Sequence, residues 1–315
     1  MSSPAHCSGL CAAAGPVAVP GVSHQPCQPG RCVVHLEFCF ATVTEGNRKS
    51  ETYARDGGAA RGAVSFLDTG GAAPVVVFLH GLAGSAGEFV PSARALWSEH
   101  RCVLVDQRGH GHSTRVPADT GRQAFVDDVV AVLDVVAPGE PVVLVGQSMG
   151  AHTAVLTVAA HPQRVAALVL LEAEVHGGDP GEAAAVGEFF RSWPVPFASR
   201  AEAADVLGAS PLARAWAADL EATGQGYRPR FDPAVMEAVL QAVHVPRWAE
   251  WEAVRAPTTV VFAAESMFTP ARQDAFVAAR AGTRRVDLSG GTHDAHLDAA
   301  QEWAAVLREA LRSMS

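Results

Sequence analysis

Lysine is nearly absent from this chain. Of its 24 basic residues 23 are arginine, and Lys49 stands alone. No run of like charge breaks the sequence, and the formal net charge is −9. That balance excludes nucleic acid as the main partner, because such a partner calls for a concentrated basic face. No uninterrupted apolar stretch approaches the roughly 20 residues of a membrane span, which excludes a transmembrane reading. The first residues also lack the basic segment and following apolar stretch of a secretory leader, so a cytoplasmic location is expected.

Cysteine is scarce outside the first 39 residues. Cys7, Cys11, Cys27, Cys32 and Cys39 lie within them, and only Cys102 lies elsewhere. Cys7-x3-Cys11 and Cys27-x4-Cys32, with His6, His24 or His35 nearby, fit the spacing of a zinc site only loosely. The segment is rich in Pro, Gly and Ala and has neither helical nor strand periodicity. Residues 1–50 are therefore expected to be a disordered extension, of the kind an upstream start codon would add. Cys102 sits in an apolar run and reads as a small buried hydrophobe.

What remains is ample for a large core: 315 residues, 49% hydrophobic and 18% charged. A chain of this size buries about 75% of its unfolded surface and needs no metal or disulfide staple. Short runs rich in β-branched residues recur at Ala63–Leu67, Val75–Leu79, Arg101–Val105, Val142–Val145, Ala166–Leu171 and Thr258–Phe262, and more weakly at Arg284–Leu288. Helical stretches separate them, such as Gln123–Val136 and Ala151–His161, with a last one over Ala299–Leu311. Strands alternating with helices predict an α/β fold with a mostly parallel sheet. One connection, between Leu171 and Thr258, is far too long for a plain loop. Its apolar spacing predicts helices over Gly181–Trp193, Ser199–Leu207, Pro211–Glu221 and Pro233–Val243. The expected organisation is a core over residues 51–175 and 252–315, with a helical cap over 176–251 above the carboxyl ends of the strands.

Gly146-Gln147-Ser148-Met149-Gly150 directly follows one apolar run and precedes a helix. Small residues around a serine in a tight strand-to-helix turn thrust its hydroxyl out at the top of a sheet. Three further segments accompany it: His80-Gly81-Leu82-Ala83-Gly84, Asp106-Gln107-Arg108-Gly109-His110-Gly111-His112-Ser113, and Gly290-Gly291-Thr292-His293-Asp294-Ala295-His296. In order and spacing the four segments resemble the α/β-hydrolase family over about 250 residues.

The resemblance implies a cofactor-free serine hydrolase with no metal. Ser148 is its nucleophile. His293, in the matching Gly-x-His position, is its base, and His296 is the competitor. Many relatives place the triad's acid just after the penultimate strand, but Ala263-Ala264-Glu265-Ser266-Met267-Phe268-Thr269 holds no aspartate. A minority, including haloalkane-dehalogenase-like members, carries a glutamate one strand earlier, which makes Glu172 the first choice and Glu265 and Glu174 the alternatives. The oxyanion donors are expected to be the backbone N–H groups of Met149 and Leu82, with His80 holding the loop in shape. Asp106–Ser113 could suggest a phosphate cradle, yet no Gly-Lys-Ser/Thr follows; the resemblance makes it a turn with Asp106 and Arg108 as internal hydrogen-bond partners. His152, His161, His176 and His244 have no metal-ligand spacing, and Glu172, Glu174 and His176 on one loop are a weak metal signal.

Phe189, Phe190, Trp193, Phe197, Trp216, Trp248 and Trp251 are assigned to the cap, favouring a small apolar acyl or ring-bearing substrate. The expected reaction is cleavage of an ester, thioester or lactone through an acyl-enzyme. Acyl transfer, carbon–carbon bond hydrolysis or cofactor-free peroxidation on the same residues, or ligand binding without catalysis, remain alternatives.

Overall fold

The computed structural model describes residues 37–42, 49–51 and 63–314. In chain order the first half runs β1 (Glu37–Thr42), β2 (Lys49–Glu51), β3 (Ala63–Asp68), β4 (Val75–Leu79), α1 (Val90–Leu96), β5 (Arg101–Asp106), α2 (Arg122–Val136), β6 (Val142–Gln147), α3 (Met149–Ala160) and β7 (Val165–Leu171). Then come α4 (Pro180–Arg191), α5 (Arg200–Leu207), α6 (Pro211–Asp219), β8 (Glu221–Thr223), β9 (Gly226–Arg228), α7 (Pro233–Val243) and α8 (Trp248–Ala253). The chain closes with β10 (Thr258–Phe262), α9 (Pro270–Ala278), β11 (Thr283–Asp287), α10 (Ala295–Asp298) and α11 (Ala300–Met314). The main sheet has the order β11-β10-β7-β6-β4-β5-β3-β1-β2, parallel from β11 to β5 and antiparallel beyond.

The central strands are apolar throughout because both of their faces are covered. Successive side chains point to opposite faces. Val77 and Leu79 of β4, with Leu168 and Leu170 of β7, pack with α2, α3 and α8. Val76 and Phe78, with Val169 and Leu171, pack with α1 and α11 around Trp303 and Leu307. Cys102 is fully buried on this second face, as a small hydrophobe should be.

The helices between β7 and β10 begin where the sequence supplies caps. Asp179, Ser210 and Asp232 each accept a backbone N–H from the first turn that follows, and a proline opens each helix. Proline suits that position because the N–H it lacks would have had no helical partner. Phe190, Trp193, Phe197, Phe231 and Met236 form the insertion's apolar interior, which continues onto Ala83, Phe125 and Met149 of the core.

Three features differ from the sequence reading. β1 and the first two residues of β2 fall within residues 1–50, the stretch expected to be a disordered extension, and they extend the sheet beyond β3. The insertion also contains the β8–β9 hairpin, whose three-residue strands are too short for a periodic signal. Trp251 is not a cap residue. It is fully buried against the core, stacks on Phe276 with centroids 4.3 Å apart, and donates its indole N–H to the Phe276 carbonyl at 2.8 Å. Helical spacing is the same on either side of the boundary, so periodicity alone could not divide cap from core. Cys7, Cys11, Cys27, Cys32, His6, His24 and His35 lie outside the described residues.

Trp251→Ala is expected to cost about 3–5 kcal/mol of unfolding free energy in urea titrations, through lost burial and the cavity left behind. Val206→Ala, at a half-exposed site, should change it by less than about 0.5 kcal/mol.

Candidate active site

Ser148 fills the single position between the end of β6 and the start of α3, with φ 52° and ψ −117°. Among the described residues, three other than glycine have positive φ: Ala83 at 58°, Ser148 at 52° and Glu172 at 50°. Each costs on the order of 1–3 kcal/mol and persists only where the surroundings impose it. Ser148 and Glu172 directly follow the ends of β6 and β7, and Ala83 lies in the turn after their neighbour β4. The Ser148 N–H donates to the Leu171 carbonyl at 3.0 Å, and the Glu172 N–H donates to that of Val261 at 2.9 Å. These bonds stitch together the ends of β6, β7 and β10. The flanking glycines are demanded by close approach. A Cβ on Gly146 would lie 2.6 Å from Ala151 Cα, and one on Gly150 would strike the Leu79 carbonyl oxygen and lie 2.7 Å from that of His80.

Glu172 is fully buried. Its Oε1 accepts the Ala263 N–H at 2.8 Å, and its Oε2 accepts the Ser266 hydroxyl at 2.8 Å and faces His293 Nδ1 at 3.2 Å. A carboxylate on Nδ1 places the ring proton there and leaves Nε2 with its lone pair free. The His293 loop is also tied to the elbow, because Gln147 Nε2 donates to the His293 carbonyl at 3.0 Å. Phe268 meets the imidazole edge-on, with centroids 5.9 Å apart. The structure thus brings Glu172 to His293 and leaves the alternatives elsewhere. Glu265 is exposed, and Glu174 is ion-paired with Arg272.

Leu82 lies in the turn after β4, and Met149 is the first residue of α3, where a backbone N–H has no partner within the helix. The loop carrying Leu82 is held from below by His80, whose Nδ1 lies 2.7 Å from the Gly81 carbonyl. His80 Nε2 accepts the Gln107 N–H at 3.0 Å, and Gln107 Nε2 returns a bond to the His80 carbonyl at 2.7 Å. Burial lowers the pKa of His80, in keeping with a neutral ring that donates on one side and accepts on the other. Asp106 and Arg108 are internal partners. Asp106 accepts the N–H groups of Ala86 at 2.7 Å and His112 at 3.0 Å, and Arg108 grips Asp128 with two bonds at 2.7 and 2.8 Å.

The family model for the alpha/beta hydrolase fold matches residues 74–300. The chain belongs to the α/β-hydrolase fold family. It is 37% identical over 119 residues to the sn-1-specific diacylglycerol lipase ABHD11 of Mus musculus, covering 37% of this chain and 38% of that protein. It is 33% identical over 104 residues to the 2-(acetamidomethylene)succinate hydrolase of Mesorhizobium japonicum, covering 32% and 36%. The chain therefore spans little more than a third of the length of these relatives. Among solved structures, an E-2-(acetamidomethylene)succinate hydrolase superposes with a TM-score of 0.73 at 20% identity, covering 79% of this chain and 95% of its own. The enol-lactonase from Burkholderia xenovorans LB400 superposes at 0.65 and 22%, covering 79% and 96%. At such identities these two establish the fold alone. No described helix is long and apolar enough to cross a membrane.

Three residues of this hydrolase-fold site escape sequence reasoning. Ser266 and Gln147 act as donors to Glu172 and to the His293 carbonyl. The only signal for Ser266 was the missing aspartate in its loop. Glu88 lies buried beneath the loop, 3.6 Å from His296 Nε2, and the His296 ring stacks on Phe89 with centroids 4.8 Å apart. His296 is thus a packed interior residue. Burial, opposed by His80 and aided by Asp106, pushes Glu88 up to about 7, while burial pulls His296 down to about 4.

A carboxyl raised above its unfolded value of 4.5 binds more protons when folded, so its contribution to stability is lost as pH rises from about 4.5 to 7. His296 contributes in the opposite sense, since folded protein binds fewer protons there between about 4 and 6.5. Glu88→Gln removes only the first effect. The melting temperature of this variant, relative to wild type, should therefore climb between pH 5 and 7; a flat difference would contradict the raised Glu88.

Proposed function

We propose that Ser148, His293 and Glu172 form a nucleophilic triad, and that the chain is a serine hydrolase acting on an ester, thioester or lactone. The observation that carries this reading is the Glu172–His293 contact, on a loop bonded to Gln147, the residue before a strained serine. A buried carboxylate, satisfied by Ala263 and Ser266, holds Nδ1 and leaves Nε2 to serve the hydroxyl. Ser148 Oγ attacks the substrate carbonyl carbon while His293 Nε2 takes the hydroxyl proton. The resulting oxyanion accepts the N–H groups of Met149 and Leu82, each donor being worth about 3–4 kcal/mol. His293 returns the proton to the leaving oxygen or sulfur, and the acyl group stays on Ser148. Water then loses a proton to Nε2 and attacks the acyl carbon; collapse of that intermediate frees the acid and reprotonates Ser148.

The apolar cluster around Met149 supports an apolar acyl substrate. The apolar interior of the insertion runs through Phe190, Trp193, Phe197 and Phe231 onto Met149, with Leu82 packed against it. Met149 is buried within that cluster, whereas Leu82, half-buried against it, can turn its side chain toward an apolar acyl group because only its backbone is asked to serve as a donor. The lipase and hydrolase relatives are in keeping with chemistry at a carbonyl.

A serine-reactive phosphonate should label wild type and spare Ser148→Ala; failure to label either favours a protein that binds ligands without catalysis. With an ester that is turned over, Glu172→Gln should lower kcat by up to about 10⁴-fold, by analogy with triads in general. Glu265→Gln should stay within a few-fold of wild type. The reverse ranking would move the acid to the loop after β10.

A further inference from the structure

A second polar cluster lies apart from the proposed triad, on the flank where α2, α3 and α8 meet. A cavity of about 490 Å³ opens there, with Val126, Leu156 and Ala159 on its apolar side and Arg122, Arg247 and Glu250 on its polar side. Arg122 is 3% exposed. One of its terminal nitrogens, Nη2, donates to the Met149 carbonyl at 3.4 Å and to the Thr153 hydroxyl. Its Nε and Nη1 have no hydrogen-bond partner among the described residues. Arg247 donates through Nη1 to Glu250 at 3.0 Å, and its Nε is likewise buried and unpartnered. His152, 2% exposed, has neither ring nitrogen satisfied.

A buried guanidinium is expensive unless it meets an anion, and arginine cannot escape by losing its proton. Glu250 is the single carboxylate on the cavity wall, against two guanidiniums, and it already serves Arg247. The neighbouring Asp128 is held by both arms of Arg108. Two guanidiniums and one carboxylate thus line a space large enough for a small molecule, and three nitrogens of those guanidiniums are buried with no hydrogen-bond partner among the described residues, Arg122 resting over the Phe125 ring at 4.2 Å. The arrangement is the one that binds carboxylate and phosphate groups elsewhere, where arginine forks meet paired oxygens. Burial and the two guanidiniums hold the pKa of His152 well below its ordinary value, so that ring adds polarity without charge.

We infer that Arg122 and Arg247 form a binding site, separate from the Ser148 centre, for the oxyanion group, carboxylate or phosphate, of a small molecule. An occupant would pair with the guanidinium that also braces the Met149 carbonyl on the reverse side of the serine turn.

The test measures the melting temperature and the binding isotherm of the full chain with sodium malonate and, separately, with inorganic phosphate, against sodium chloride at matched ionic strength. Wild type and Ser148→Ala should both show saturable binding, with a rise on the order of 5 °C at about a hundredfold Kd. Arg247→Gln and Arg122→Met should each weaken binding by tenfold or more. Arg247 is partly exposed, so its variant decides the matter should Arg122→Met not fold. Response to malonate alone assigns a carboxylate ligand, and response to phosphate alone assigns a phosphorylated one. Equal responses in wild type and Arg247→Gln, or none beyond chloride, overturn the site. Loss of binding in Ser148→Ala would place the anion at the catalytic centre and overturn it as well. Phosphonate labelling of Ser148 is independent of all these results.

Discussion

The first turn of α3 presses so closely on the end of β4 that no side chain can stand between them. Gly150 meets the carbonyls of Leu79 and His80 directly, and Gly146 meets the backbone at Ala151. Everything at the site depends on that contact. It fixes the start of α3, hence the direction of the Met149 N–H. It also fixes the end of β4, from which the Leu82 loop departs. The two amides proposed as oxyanion donors therefore belong to elements that meet backbone against backbone, with no side chain between them. The positive φ values at Ser148 and Ala83 lie beside that contact, and the packed strands beneath hold them in place.

The proposed acid, Glu172, illustrates how side-chain length and strand position exchange. β7 and β10 are neighbours in register, with Leu171 opposite Val261, so a carboxylate leaving either strand end can approach one imidazole. From β7 the reach is longer, and glutamate supplies the extra methylene. The loop after β10 then changes its part. Its Ala263 amide and Ser266 hydroxyl donate to Glu172, where a resident aspartate would itself have been the acid. A buried carboxylate is tolerable because three donors surround its two oxygens.

Such a division of labour explains what could be read from residues alone. Strands buried on both faces declare themselves by continuous apolar runs, and the helices of the insertion by apolar residues at three-to-four spacing; these are local signals. Gly146 to Gly150 is local too, because sterics dictate it. The approach of Glu172 to His293 could be expected only through a resemblance and an absence, the lack of an aspartate after β10. Ser266, Gln147 and Glu88 were not legible, since their parts are set by neighbours more than 90 residues away or by burial beneath a loop. Trp251 was assigned to the wrong layer for the same reason: its partner, Phe276, comes from beyond the next strand. β1 was missed because a six-residue strand within a stretch rich in Pro and Gly carries little periodic signal.

The polar interior behind the oxyanion loop has its own logic. His80 and His296 are buried and depressed, and Glu88 is buried and raised, so each is shifted toward its neutral form. Asp106 is the exception. Burial works against its charge, yet bonds from the His112 side chain and from the Ala86 and His112 amides lower its pKa all the same. At the proposed oxyanion site, low-dielectric surroundings would let two oriented amide dipoles act more strongly on a developing negative charge than they would in water. Neutral His80 is suited to this place in a way a charged ring is not. It shapes the loop through one donated and one accepted bond and adds no net charge that would hold an anion in the ground state as firmly as in the transition state.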